Sequence, residues 1–519
     1  MPLINPVGRK SWRARIALAT IYLILTVGAV TTLYPFLLMV STGLKGMTDQ
    51  STSNLVPTYL TENSQAAIAT PAPESLAGKY LDDKYFANVN LRASMAGGPT
   101  EFVPEYEAWL RRLPVTQWHA GFRIAPTQVT SRLAERYRAW LRERFGDIDR
   151  LNRAYLEENS AFQGITPPQE RLDVPGWRPL ASAKWRDWLE FKATLPAEFR
   201  VPLRLEFQWQ EFWRGRTAAQ WSEVPPTVRG AATDYSGLVF PRKGSSPEKA
   251  AFLAKQWPAN LPDLEAKFVA DTPGAKGMPV GAYDRHVIAR DASQIRGEFA
   301  GRNYRYVIDY VLLHGRAVLN TVIFCSLAIL FQLTVNPLAA YALSRFPIKS
   351  SGKILLFLLA TMAFPAEIAL IPSFLLLRDL GLLNTFWALV LPGAASGYMI
   401  FLLKGFFDSL PQELFEAGQL DGAPERTMMW RIALPLSRPV LGYVALLAFM
   451  GAYSAFIFAF LVCQDQSKWT LMVWLYQLQL SAPRATVMAA LTLAALPTLI
   501  VFLAAQRVIM RGIVLPGER

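Results

Sequence analysis

The feature that most limits what this chain can fold into is a series of long apolar runs, because about 20 consecutive apolar residues in helical form match the thickness of a bilayer's hydrocarbon core. The first run covers residues 16 to 40 and follows Arg9, Lys10, Arg13 and Arg15. A signal peptide shares the basic start, but its apolar stretch is only about 7 to 15 residues and ends in a small-residue cleavage site, which is absent here. The segment reads as an uncleaved first span. Five further runs follow, at 317–343, 354–377, 386–407, 439–462 and 487–509, so six membrane spans are expected.

Charge separates the remaining segments. The interval 45–312 holds 35 basic and 31 acidic residues, a near balance, and most of the chain's net charge of +13 therefore sits beside the apolar runs. That placement follows the positive-inside rule rather than the clustered polar surface that nucleic acid would need. Arg345, Lys349 and Lys353 join the second and third runs, Lys404, Arg426, Arg431 and Arg438 surround the link from the fourth to the fifth, and Arg507, Arg511 and Arg519 follow the sixth. The opposite connections carry compensated charge: Arg378 with Asp379, and Asp465 with Lys468 and Arg484. Both termini and the basic links are expected in the cytoplasm, with 45–312 outside.

An interval that long must be a domain rather than a connection. Its start, through about Thr100, is rich in Ser, Thr, Ala, Gly and Pro and reads as a linker or as loosely packed strand and loop. From Tyr106 onward, apolar and aromatic residues recur at three- and four-residue spacing among Arg and Glu, the signature of amphipathic helices. Leu133, Tyr137, Trp140 and Leu141 mark one such face. A packed helical core is the main reading of these aromatics, and a sugar-stacking surface the other.

Several chemistries are excluded. Cys325 and Cys463 lie inside apolar runs and cannot make a disulfide framework or a zinc site; His119, His286 and His314 stand far apart with no i, i+4 pairing. No metal site is expected. No phosphate-binding loop is present, since Gly8-Arg9-Lys10-Ser11 and Gly352-Lys353-Ile354 lack the required spacing. No catalytic residue is assigned, and the chain is not expected to hydrolyse ATP itself.

The most patterned connection is 408–438, between the fourth and fifth runs. Leu414, Phe415, Ala417 and Leu420 suit one short helix, Gly422 stops it, and Glu425 to Ile432 suit a second. This link resembles the cytoplasmic coupling motif of binding-protein-dependent ABC transporter permeases: Glu-Ala-Ala, three residues, Gly, nine residues, Ile-x-Leu-Pro. The matching residues are Glu416, Ala417, Gly418 in place of the second Ala, then Asp421-Gly422, and Ile432, Leu434 and Pro435. The segments 16–45 and 320–519 resemble the carbohydrate-uptake branch of that family, similar to the smaller maltose-transport permease.

The resemblance implies an all-α integral membrane protein with six transmembrane helices of the ABC importer type, plus a mainly helical external domain inserted between helices 1 and 2. The divisions are 1–44 (N-terminus and helix 1), 45–312 (insertion) and 313–519 (helices 2 to 6). It further implies a bacterial inner-membrane location and alternating access that moves a carbohydrate. The implied partners are a second permease subunit, two ATPase subunits that bind ATP and Mg, an external solute-binding protein and the lipid bilayer; no nucleic acid and no cofactor of its own are expected. Polar and helix-bending groups in the spans, among them Asn336-Pro337, Pro365, Glu367, Pro372 and Pro392, suit a pathway, with Asn336 and Glu367 as its candidates.

The large insertion departs from the family. Part of it, with Phe145-Gly146 ahead of Leu151-Asn152, faintly resembles a segment of β-galactosidase-like glycoside hydrolases, and Glu157, Glu158, Glu170 and Glu206 supply carboxylates. Hydrolysis needs two carboxyls at a fixed separation in a cleft, and no such pair is legible. The alternative to a transporter is thus a membrane-anchored carbohydrate-binding or glycoside-hydrolase-like sensor, which would need one span and no coupling motif.

Overall fold

The computed structural model describes residues 12–62, 72–85, 90–92, 99–120, 132–159, 161–168, 170, 176–256, 259–313, 316–361 and 365–512. His314 and the N-terminal Arg9 and Lys10 lie outside them. The chain divides into two compact units, Met1–Tyr306 with Ala482–Ala489, and Val307–Ser481 with Ala490–Arg519.

In the first unit, helix α1 (Trp12–Gly43) exposes a run of large apolar side chains from Ile16 to Leu37, as a lipid-facing span does. Two hydroxyls at its middle are satisfied within the helix. Thr31 and Thr32 donate their hydroxyls to carbonyls of Val27, Gly28 and Ala29, which matters where no water can replace the bond. The longer helices after it are α2 (Leu76–Lys84), α3 (Val103–Arg112), α4 (Arg132–Phe145), α5 (Ala183–Thr194), α6 (Leu205–Arg216), α7 (Val280–Arg290) and α8 (Ala292–Val307). Between them run short helices and one two-stranded antiparallel ribbon, pairing Trp118 with Pro202 and His119 with Val201.

One continuous aromatic core holds this unit together. On α4, Leu133, Tyr137 and Leu141 are buried, and Tyr137 meets Trp188 edge-on at 5.2 Å and Phe191 at 5.1 Å. Helix α6 is buried on all sides from Phe207 to Trp213, so its expected amphipathicity gives way to full enclosure; Gln210 survives there by donating to the carbonyls of Ser236 and Leu238. Tyr137, Trp188, Phe191 and the α6 rings are core, whereas Trp140 stays half-buried at its edge.

The start of the insertion is the main departure from expectation. Residues read as a loose linker include α2, whose Leu76, Ala77 and Tyr80 are buried, and Tyr59 and Tyr85 beside them. Polar composition misleads here because the charges are internally paired: Lys79 with Asp49 at 2.5 Å, and Lys84 with Asp284. The entry and exit of the domain are also tied. Asn303 on α8 donates to the carbonyls of Gly43 and Lys45 at 2.9 and 2.7 Å and accepts from Thr486, while Tyr59 and Tyr304 donate to the carbonyls of Leu44 and Val40.

The second unit is built around α9 (Ala317–Arg345), which packs along α12 (Gly397–Asp408) and α14 (Arg438–Ser454). In chain order, α10 (Ser351–Ala360) and α11 (Ala366–Asp379) precede α12, α13 (Gln412–Leu420) precedes α14, and α15 (Leu471–Ser481) precedes the final helix α16 (Arg484–Gly512). Among the described residues three helices, Arg15–Gly43, Ala317–Arg345 and Arg484–Gln506, are long and apolar enough to cross a membrane singly. Two bent pairs raise the number to five. The third expected span, 354–377, is instead α10 and α11, with Pro365 opening the second helix, a residue that cannot donate to the preceding turn.

Candidate functional site: the connection between helices α12 and α14

Pro411 precedes α13 with φ fixed at −52°, at a position where a helix has no use for the missing N–H. The helix ends in a paired-carbonyl cap. Gly422 lies at φ +72° and donates its N–H to the carbonyl of Gln419 at 3.0 Å, while Ala423 donates to that of Gly418 at 2.9 Å. This double closure needs a left-handed residue after the helix, the region that glycine enters without a Cβ clash. Gly422 is therefore placed by backbone geometry.

The second half begins at Glu425–Met428, passes through the π-helical turn Met429–Ala433 and continues to Leu436, where the chain bends by 80° into α14. Gly418 faces this half. A Cβ there would stand 3.4 Å from Met428 Sδ and 3.6 Å from Ile432 Cδ1, ordinary contact distances, so alanine fits in the position. Ala433 is buried, Ile432, Leu434 and Pro435 are half-buried, and Ser437 Oγ returns to the carbonyl of Ala433. The motif's last residues thus serve as the packed hinge between the loop and the helix that follows.

What remains outside is the opposite face of α13. Glu416 is exposed and accepts from Gln412 Nε2 at 2.8 Å, Ala417 and Asp421 are exposed, and Leu414 and Leu420 are 43% and 90% exposed. An apolar side chain as open as Leu420, beside a carboxylate free of any basic partner among the described residues, forms a mixed apolar and acidic face on a rigid helix.

Residues beyond the motif fix this helix to the bundle. Phe415 is buried, and the Arg345 guanidinium lies 3.7 Å from its ring centre while donating to the carbonyl of Phe407 at 2.6 Å. Tyr341 OH donates to Glu425 at 2.9 Å and Ser344 to Asp408 at 2.6 Å. In the sequence Arg345 stands out only as a charge beside an apolar run. The spacing of Tyr341, Ser344 and Arg345, which puts all three on one face at the end of α9, was the available signal.

Of the two pathway candidates, Asn336 is fully buried and its bonds are spent within the protein: Nδ2 donates to the carbonyl and side chain of Gln332, and Oδ1 accepts from the Ser396 N–H at 2.9 Å. It ties α9 to the start of α12. Glu367 stands in the first turn of α11, and its side chain lies outside what the structure describes. In the insertion, Glu170 is buried in an ion pair with Lys192 at 2.6 Å and accepts from the Ala120 N–H, Glu157 pairs with Lys184, and Glu206 with Arg242. These three carboxylates are engaged in structural pairs.

Residues 336–514 match the family model for the binding-protein-dependent transport system inner membrane component. Protein LplC of Bacillus subtilis is 35% identical over 34% of this chain and 58% of its own length, so the match spans less than two thirds of that relative. The polygalacturonan/rhamnogalacturonan transport system permease protein YtcP of the same organism is 27% identical over 44% of this chain and 85% of its own. The sn-glycerol-3-phosphate transport system permease protein UgpE of Yersinia pestis is 32% identical over 38% of this chain and 73% of its own. With the matched region holding the capped connection described above, the chain belongs to the family of binding-protein-dependent transport system inner membrane components.

Proposed function

We propose that this protein is the membrane-spanning permease subunit of an ATP-binding-cassette importer that moves a carbohydrate or carbohydrate-derived solute inward. The observation that carries the reading is the Gly422-capped helix α13, which holds Glu416, Ala417 and Leu420 out on a rigid support anchored through Phe415 and Arg345. Such a face suits insertion into a cleft of a separate ATPase: small Ala417 permits close approach, Leu420 offers apolar area, and Glu416 accepts from basic groups. Asp421, Ile432, Leu434 and Pro435 complete the element that passes the displacement into α14.

In this reading both termini and the 408–438 connection are cytoplasmic, the insertion is external, and two ATPases, a second permease and an external solute-binding protein complete the assembly. ATP and Mg belong to the ATPase subunits. ATPase closure switches the bundle between inward- and outward-facing states, each stabilised by its own set of contacts. Asn336 then positions the α9–α12 seam beside the pathway, with Glu367 as the second candidate for it. The carbohydrate class is supported by YtcP, whose name states polygalacturonan/rhamnogalacturonan transport, and by the branch resemblance of the flanking segments.

The test is uptake of labelled oligosaccharides into proteoliposomes holding the assembled complex, its binding protein and internal ATP. Accumulation that needs both ATP and binding protein is the expected result. Carbohydrate binding by the external domain, with no uptake under any of these conditions, would favour the membrane-anchored sensor.

A further inference from the structure

The second unit contains a cavity of about 410 Å³ among α9, α14, α15, α16 and the π-helical turn Ile308–Leu313. Its polar wall groups are largely engaged. Thr321 Oγ1 donates to the carbonyl of Ala317 and accepts from the Leu471 N–H, both at 2.8 Å, and Tyr453 OH donates to the carbonyl of Ala494 at 2.5 Å. A carbohydrate here would give up its bonds to water and find few replacements. The walls suit an aliphatic chain instead.

The cavity is open to the side. Val322, Leu496 and Ile500 on its wall are 56%, 42% and 64% exposed, so its mouth lies on the outer surface of apolar helices. The side of the cavity formed by Trp474 is chemically distinct. Tyr310 and Trp474 lie with ring centres 5.3 Å apart, a pair of the kind that marks a membrane–water boundary. Arg316, at the start of α9 two residues before the wall residue Val318, is exposed and makes no ion pair among the described residues. An apolar slot with an exposed cation, unpaired among the described residues, at the start of the helix that forms its wall is the complement of an anionic amphiphile.

We propose that this cavity is a phospholipid site, with one acyl chain lying between α9 and α16 and an anionic head group at Arg316. The site rests only on the membrane location of these helices, so it stands or falls apart from transport and its substrate.

The probe is phosphatidylglycerol with brominated acyl chains, compared with brominated phosphatidylcholine, each diluted into plain phosphatidylcholine vesicles that carry the full-length protein. Bromine quenches a neighbouring indole, and the difference between the parent and Trp474→Phe isolates Trp474. The expected result is quenching of Trp474 with about fivefold preference for the anionic lipid, the size of one favourable basic contact at a membrane surface. Ser326→Phe, placed at an exposed wall position, removes the quenching; Arg316→Gln removes the preference; and Leu319→Phe, exposed on the same helix away from the wall, changes neither. Quenching in Ser326→Phe equal to the parent would mean contact with bulk lipid only and would overturn the site. So would a cross-link from position 326 to a second permease subunit in place of lipid.

Discussion

At the scale of single residues, the two glycines of the capped connection differ in what they need. Gly422 requires its φ of +72°, whereas Gly418 merely sits at contact distance from Met428 and Ile432. Gly418→Ala is therefore expected to raise stability by about 0.5 kcal/mol through reduced chain entropy, read as a higher midpoint in thermal unfolding, with uptake unchanged. A second residue-scale expectation concerns Glu135 in the insertion. Burial pushes its carboxyl up to about 7, with Asp83 adding to the rise and Arg302 opposing it. The folded state then holds a proton that the unfolded chain has released, so this group's contribution to stability falls as pH rises from about 4.5 to about 7 and is level above that. Glu135→Gln should flatten that segment of the stability profile, measured by denaturant unfolding across the range; an unchanged slope would assign the dependence to other groups.

Among elements, the unexpected feature is the tie between α1, α8 and the segment 482–489. Asn303 holds the carbonyls of Gly43 and Lys45 and the hydroxyl of Thr486 within one buried set. Asn303→Leu leaves those carbonyls buried and unpaired, at about 2 kcal/mol or more, and faster amide exchange at 41–46 and 482–489 is the expected readout. These contacts were not legible in the sequence because they join residues separated by more than 180 positions, and no periodicity encodes such a pairing. Helix α2 was missed for a related reason: Lys79 and Lys84 look like surface charge until Asp49 and Asp284 are brought to them. The face of α4 was legible, since Leu133, Tyr137 and Leu141 follow the helical repeat. The connection 408–438 was legible as two short helices, because its glycine and proline positions are set by local geometry that sequence records directly. Its anchors at Tyr341, Ser344 and Arg345 belong to another helix and needed the structure.

For the whole molecule, the insertion is a helical body with its own aromatic core, fastened to the end of α1 within one unit. Its expected role is in docking or solute delivery. Replacing 45–312 by a short linker is expected to weaken binding-protein-dependent uptake while leaving membrane insertion intact; full retention of binding-protein affinity and uptake would remove the docking role, and glycosidase activity in the isolated domain would replace it with catalysis. The central claim, that α13 couples the bundle to an ATPase, is tested most directly by ATP turnover in proteoliposomes with binding protein and sugar, comparing the parent with Glu416→Lys and Gly422→Val. Charge reversal removes the acceptor, and a β-branched residue at φ +72° costs about 1 kcal/mol or more. Both variants are expected to reach the membrane and to lose ATPase co-purification or sugar-stimulated hydrolysis; parent-like assembly and turnover in both would contradict coupling through α13.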